Sequence, residues 1–185
     1  AKESSDFNYL ARIYGFLSTQ CRTIGFYEKG KYYLNQGITT SLKFTDVSKK
    51  LPYQAMVDHE MAEYALINND YIKGLNYIDK AIAYYNSIEN SQYKSFVLAN
   101  CQQLKARCYI ELNNDSLALR HFKKAEINVK NAKAENSIFG ALIYQGLGES
   151  YMKLMNSDSA HFYLTKALKL SEPFIDSHIN EKLYE

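Results

Sequence analysis

The 185-residue sequence predicts an all-α protein, arranged as a right-handed superhelical solenoid of antiparallel helix pairs with about nine helices. Three observations predict it. With two prolines and eight glycines, the chain is poor in the residues that punctuate β-rich folds. Loops rich in asparagine and aspartate recur at spacings of 45 and 43 residues. Small residues recur in pairs seven positions apart, which places both members on one stripe of a helix.

The recurring loops separate the two helices of each predicted pair. They are Asn68-Asn69-Asp70, Asn113-Asn114-Asp115 and Asn156-Ser157-Asp158. Each follows one apolar helical pattern and precedes another. An aspartate ahead of such a pattern is a good N-cap, because its carboxylate accepts hydrogen bonds from first-turn N–H groups. Since no alternating apolar pattern is bounded by hairpin residues, we expect no β-sheet.

The whole chain, residues 1–185, is predicted to form one helical repeat domain. We expect helices at 5–27, 31–48, 52–68, 71–88, 91–112, 115–132, 135–155, 157–172 and 175–185, grouped in units 5–48, 52–88, 91–132 and 135–172 with a partial next helix at 175–185. Pro52 and Pro173 are expected at turns between units, where a missing N–H costs little. Because the last segment looks like the beginning of another first helix, we expect the natural protein to continue.

Small residues mark where helices are expected to approach closely. The pairs are Gly74 with Ala81, Ala118 with Ala125, and Ala160 with Ala167. Helices packed at about 8–10 Å leave no room for larger groups at such a contact. We therefore predict that the four alanines of the last two pairs are nearly fully buried.

Charge and composition exclude several classes of protein. Lys and Arg number 22 against 20 Asp and Glu, so the net charge of +2 lacks the excess of cations on which electrostatic nucleic-acid binding depends. A hydrophobic content of 46% is typical of a globular chain. No apolar run approaches the ~18–20 residues that span a bilayer. Any membrane attachment is therefore expected only from a missing downstream part.

The three cysteines are predicted to be buried free thiols. Cys101 and Cys108 lie seven positions apart in a helical pattern, about 10.5 Å along a helix axis. That separation exceeds the ~7 Å Cα limit for a disulfide. Because the sequence has no C-x-x-C pair, zinc is not expected either.

A search for catalytic motifs finds none that is specific. The phosphate-loop pattern is missing, and Gly146 and Gly148 lie inside a helical pattern without a preceding strand. His59 with Glu63 supplies two groups at helical spacing, which do not make a metal site. We therefore predict that the chain is not an enzyme and carries no metal and no cofactor.

The stretch from Tyr144 to Pro173 resembles the tetratricopeptide repeat. The positions that carry the resemblance are Tyr144, Leu147, Gly148, Tyr151, Ala160, Leu164, Ala167 and Pro173. The preceding unit is similar through Ala106, Tyr109, Ala118, Phe122 and Ala125. The first two units are aligned more weakly, by Tyr27 ahead of Gly37 and Tyr64 ahead of Gly74.

The resemblance implies that the first helix of each pair lines a concave binding groove. Carried over through the aligned tyrosines, it implies a partner-binding groove of Asp58, Asn100, Gln103, Arg107, Gln145 and Glu149. The amides among them suit hydrogen bonding to an extended peptide backbone, although side chains that simply stay solvated explain them equally well. Among all the first-helix positions that the resemblance places in the groove, only Arg107 and Lys153 are positive. Capture of a C-terminal carboxylate is therefore not expected.

Two classes of function stay open at this point. The first is a non-catalytic scaffold for a peptide or protein segment. In this class the chain is the interaction or sensing segment of a larger regulator in signal transduction or transcriptional control, as the resemblance implies. The second is a helical-repeat enzyme or a small-molecule-sensing domain that uses the same groove. An enzyme is expected to show a deep pocket with clustered titratable groups, and a scaffold a broad, shallow groove.

Overall fold

The structure, a computed structural model, describes residues 2–173 and places eight α-helices and no β-strand among them. The helices are α1 (Lys2–Thr23), α2 (Tyr27–Ser41), α3 (Val47–Ile67), α4 (Tyr71–Ser87), α5 (Gln92–Glu111), α6 (Asp115–Asn131), α7 (Ile138–Lys153) and α8 (Ser157–Ser171). The all-α class is confirmed, with eight helices in this part of the chain instead of about nine. The helix predicted at 175–185 lies outside the described residues.

The helices pack in adjacent pairs. Helix α1 packs on α2, α3 on α4, α5 on α6 and α7 on α8. Successive pairs meet through α4 with α5 and α6 with α7, and the first helices also touch, α1 with α3 and α3 with α5. Three buried apolar clusters fill these contacts, so the core runs along the array instead of collecting at one centre.

One type of turn ends the first helix in all four pairs. The turn residues Gly25, Asn69, Asn113 and Met155 have φ values of 84°, 59°, 55° and 58°. In the second pair, the N–H of Asp70 donates to the carbonyl of Ala65 at 2.8 Å, which completes a Schellman motif. Glycine and asparagine suit this left-handed position because they adopt it at low steric cost.

These turns correct the repeat register. Turn residues 25, 69 and 113 are 44 residues apart, and 113 and 155 are 42 apart. The predicted loop spacings of 45 and 43 therefore aligned the loops out of register. The N-caps are Asp70, Asn114 and Asn156, each accepting from the backbone N–H three residues ahead. Asp115 and Asp158 consequently lie in the first turns of α6 and α8, where their charge complements the helix dipole.

A pair of small residues recurs in every second helix. The pairs are Gly30 with Gly37, Gly74 with Ala81, Ala118 with Ala125, and Ala160 with Ala167, and all of these residues are buried. The predicted burial of the four alanines is confirmed, with exposures of 0, 0, 5 and 0% in chain order. Gly30, and not Gly37 as predicted, is the counterpart of Gly74. A Cβ at Gly30 would lie 2.1 Å from the Tyr64 hydroxyl oxygen, so only glycine allows this approach.

The burial of Ala160 predicts a stability effect. Replacing Ala160 with leucine is expected to lower the free energy of unfolding by ~1–3 kcal/mol, because three extra carbon atoms have no space in a buried contact. Thermal or urea unfolding measures the change. The matched control is Ala83→Leu on the exposed face of α4. Equal midpoints for the two variants would contradict the packing of α8.

Four predicted helix boundaries are wrong: the end of α1, both ends of α2, which stops at Ser41 and not at 48, and the start of α3. Pro52 was placed in a turn, yet it lies inside α3, which begins at Val47 behind the N-cap Asp46. The missing N–H of Pro52 leaves the carbonyl of Ser48 without a helical partner, and Ser48 is exposed to water, so the loss is tolerable. Helix α1 ends and α2 begins four residues earlier than predicted, because Gly25 adopts the left-handed conformation.

The cysteine prediction is confirmed. Cys21, Cys101 and Cys108 are buried free thiols. Burial raises the pKa of Cys101 and of Cys108 to about 12, so neither forms a reactive thiolate near neutral pH. Among the described helices, none combines the length and the apolar character required to cross a membrane.

Candidate functional site

The candidate site is a surface formed by the first helices of successive pairs, and we call it the first-helix surface. On α5 it consists of Asn100, Gln103 and Arg107, whose spacing of three and four residues puts them on one face. The neighbouring faces of α5 enter the core on either side, with Leu104 toward α3 and Ala106 toward α7. The three polar side chains therefore lie between two buried contacts and reach the surface.

The corrected register assigns the α3 part of this surface. Subtracting 44 from 103 and 107 gives His59 and Glu63, which are both half-buried. The structure places Asp58, the predicted residue, elsewhere. Its side chain is 8% exposed, and Gln54 Nε2 donates to its Oδ1 at 3.4 Å. Burial raises the pKa of Asp58, and the positive charge of Lys80 on α4 partly opposes that shift.

Four charged side chains form a row across three first helices. Glu63 Oε2 of α3 lies 3.5 Å from Arg22 Nη1 of α1 and 3.4 Å from Arg107 Nη1 of α5. Arg22 also holds Glu60, with 2.8 Å between Nε and Oε1 and 3.3 Å between Nη2 and Oε2. We call Arg22, Glu60, Glu63 and Arg107 the charge row. It joins α1, α3 and α5 into one continuous polar surface.

The two ends of the charge row differ in exposure. Glu60 is 5% exposed and also accepts a hydrogen bond from the Thr19 hydroxyl at 3.1 Å. Its forked pairing with Arg22 satisfies both carboxylate oxygens, as a buried charge requires. The side chain of Arg107, by contrast, is 44% exposed. The buried end fastens α1 to α3, and the Arg107 end can meet a ligand.

His59 lies beside this row. Burial lowers its pKa, although the nearby carboxylates of Glu63 and Glu60 act in the opposite direction. Its buried Nε2 has no hydrogen-bond partner among the described residues. The imidazole is therefore neutral near pH 7, and the net charge of the row comes from its two arginines and two glutamates.

The α7 part of the surface carries the remaining predicted residues. Gln145 is 7% exposed, and its Nε2 donates to Oε1 of Glu149 at 2.9 Å. Glu149 and Arg107 line one cavity of about 380 Å³, together with Tyr71, Glu111 and the C-terminal end of α3. The structure thus places Arg107 and Glu149, which belong to two neighbouring helix pairs, at one opening, where a positive and a negative side chain meet.

Five of the six predicted site residues lie on the first helices in matching register. Asn100, Gln103 and Arg107 do so on α5, and Gln145 and Glu149 on α7. Sequence reasoning missed Arg22 and Glu60, and it paired Glu63 with His59 without including it among the six predicted groove residues. The signal was present, because Glu60 is a carboxylate at the position where α5 has the core residue Leu104. It required the 44-residue register, which the loop composition alone did not supply.

A second polar contact lies on the far side of α5. His121 of α6 is 8% exposed, its Nδ1 lies 2.7 Å from Gln102 Oε1, and its ring stacks on Tyr109. Because the amide oxygen can only accept, Nδ1–H is the donor in this contact. Burial lowers the pKa of His121 to about 4, and Lys105 and Lys124 add to that shift.

This histidine predicts a pH dependence of stability. The unfolded chain protonates it near pH 6.5, and the folded chain only near pH 4. Between these values the unfolded state binds more protons, so the free energy of unfolding falls as pH falls from about 6.5 to 4. We expect this group to account for about 2 kcal/mol of the loss. Urea unfolding of wild type and His121→Gln from pH 7 to pH 4 tests it, since identical pH slopes would contradict the assignment.

Within the part of the chain described, no three His, Cys, Asp or Glu side chains are placed to hold a metal ion. The site therefore consists of amides, charged pairs and one open cavity. The sequence matches none of the protein-family models and none of the curated proteins with which it was compared.

Proposed function

We propose that the chain is a non-catalytic scaffold that binds a peptide or protein segment on its first-helix surface, as the interaction or sensing segment of a larger regulatory protein. In this proposal the helix pairs continue into a right-handed superhelix similar to tetratricopeptide arrays, with the first helices on its inner side. The proposal rests on the residues themselves, since no family match supports it.

The charge row is the observation that carries the proposal. Arg22, Glu63 and Arg107 belong to three consecutive repeats, and their contacts make those repeats share one surface. Four first helices at ~8–10 Å spacing extend over about 24–30 Å. An extended segment of about seven to nine residues, at ~3.3 Å each, covers that length. Such a surface is larger than one small molecule needs.

The side chains on the surface favour a polar, weakly charged ligand. Asn100 and Gln103 each offer an amide that can donate and accept, which matches a peptide backbone. Arg107 and Glu149 set opposite charges at the same opening. A phosphate backbone would meet the carboxylates as well as the arginines, so nucleic acid is disfavoured.

The test is a set of substitutions on the exposed part of this surface. Arg107→Glu is expected to weaken partner capture from the native cell at least tenfold, because it reverses a charge at the opening. Helicity should stay unchanged, since the Arg107 side chain is 44% exposed. The triple variant Asn100/Gln103/Arg107→Ala should abolish capture.

A matched triple on α6, Arg120/Lys123/Lys124→Ala, removes exposed side chains from the opposite side of the same helix pair. It is expected to capture the same partners as wild type. Unchanged capture by the Asn100/Gln103/Arg107 triple would exclude the first-helix surface as the site.

A small-molecule sensor is the second candidate, and one observation favours it. The cavity beside Arg107, Glu111 and Glu149 measures about 380 Å³, within the range of small-ligand sites. An enzyme is less well supported, because the sequence carries no specific catalytic motif. A thermal-shift screen of amino acids and other small zwitterions separates these ideas. Stabilisation of wild type, lost in Glu149→Gln, would favour a sensor over a peptide scaffold.

A further inference from the structure

Helix α1 exposes an apolar stripe on the side away from α3. It consists of Tyr9, Ile13 and Phe16, followed by Ile24 at the end of the helix, and we call it the α1 stripe. The exposures of these side chains are 65, 54, 63 and 64%. Aromatic and branched side chains exposed to this degree present on the order of 500 Å² of apolar surface. Contiguous apolar patches of this size usually bind another protein surface.

The repeat register shows what such a stripe does elsewhere in the chain. Adding 44 to positions 9 and 13 gives Tyr53 and Val57, which are 4% exposed and packed against α1 and α2. Adding 44 again to position 57 gives Cys101, fully buried against α3 and α4. In both inner repeats the positions equivalent to Ile13 and Phe16 are covered by the preceding helix pair, whereas those equivalent to Ile24, Asn68 and Leu112, are exposed. On α1, Ile13 and Phe16 are uncovered.

The chemistry of the stripe favours an uncharged covering surface. At the position of Glu60, which pairs with Arg22 inside the array, α1 has Phe16. The stripe positions 9, 13, 16, 20 and 24 carry no formal charge, and the exposed Arg12 flanks them at helical spacing from Tyr9 and Phe16. A surface of the α1–α2 type, which offers an arginine at this contact, would bury that charge without a partner. An identical uncharged stripe has no such cost.

We propose that two copies of this chain associate through the α1 stripe, in antiparallel fashion about a two-fold axis near Phe16. Phe16 is close to the midpoint of the stripe, so this arrangement sets Tyr9 against Ile24 of the second copy. Two stripes with their flanking residues bury on the order of 1,200 Å², the lower end of specific interfaces. The interface is isologous and closes at the dimer.

Sedimentation velocity at ~1–100 µM chain tests the proposal. Wild type is expected to reach twice the 21.3 kDa chain mass at the upper concentrations. Ile13→Glu/Phe16→Glu is expected to stay at 21.3 kDa throughout, because it places four carboxylates against each other across the axis. Both residues are exposed in the single chain, so circular dichroism and the melting temperature should be unchanged.

Ile127→Glu on α6 is the matched control, because Ile127 is 60% exposed and lies far from the stripe in the chain. It should dimerise as wild type does. A wild type that stays at the mass of one chain over the whole range would overturn the proposal. A dimer that survives Ile13→Glu/Phe16→Glu would also overturn it, since the contact would then lie on another surface.

Discussion

Replacing Glu60 with alanine is expected to lower the free energy of unfolding by about 3–5 kcal/mol. The Arg22 side chain is only 13% exposed and loses the carboxylate that accepts from its Nε and Nη2. The buried Arg22 charge then keeps only the 3.5 Å contact with Glu63, which is the reason for the large effect. Urea unfolding monitored by circular dichroism gives the change, and the contact between α1 and α3 should open first.

A double-mutant cycle separates the loss of the pair from the loss of packing. Glu60→Leu introduces leucine, the residue that α5 carries at the equivalent position 104. It still removes the carboxylate to which Arg22 donates. Adding Arg22→Met removes the stranded charge, so the double variant should recover most of the loss. If the double variant is as unstable as Glu60→Leu alone, the buried charge is not the cause.

Glu28→Gln is the control for a surface ion pair. Glu28 is 88% exposed and pairs with Lys31 at 2.9 Å within α2. Its replacement is expected to change the free energy of unfolding by ~0.5 kcal/mol or less, since water screens both charges and the side chains lose entropy on pairing. The contrast with Glu60 isolates burial as the variable.

Phe122→Ala is expected to lower the free energy of unfolding by about 3–5 kcal/mol. The ring is 2% exposed and lies against α7 where Gly146 has no side chain. Its removal leaves a cavity that the surrounding helices fill only in part. Phe162→Ala, at a ring 60% exposed on α8, is the control and should cost far less.

The same contact predicts a reversal of sign for Gly146→Ala. In wild type the added Cβ would lie 2.2 Å from two carbon atoms of the Phe122 ring, so the substitution should destabilise by ~1–3 kcal/mol. In the Phe122→Ala background the ring is gone, and alanine then gains up to ~1 kcal/mol of helix propensity over glycine. Equal effects in both backgrounds would show that the ring and Gly146 do not pack together.

The helical class, the pairing of helices and the small residues between them follow from the order of amino acids alone. These features depend on local periodicity, which can be read from residues close together in the chain, such as Ala118 and Ala125. Burial of these alanines and of the three thiols followed from the same pattern and is confirmed. The spacing of 42 residues between Tyr109 and Tyr151, by which the α5 and α7 parts of the first-helix surface were aligned, equals the spacing of the turn residues 113 and 155.

The register of the first two repeats and the composition of the charge row depend on the folded backbone and on the packing between helices. Asn68 and Asn113 begin similar loop sequences but do not occupy the same position of the turn. The residue with the left-handed backbone conformation, Asn69 or Asn113, fixes where each helix ends. With the alignment corrected by one residue, Glu63 takes a position on the first-helix surface, and Asp58 is recognised as a buried residue. The pairing of Arg22 with Glu60 joins residues 38 positions apart, and only the packing of α1 on α3 brings them within 2.8 Å. Long-range electrostatic partners of this kind depend on three-dimensional proximity, which no local pattern encodes.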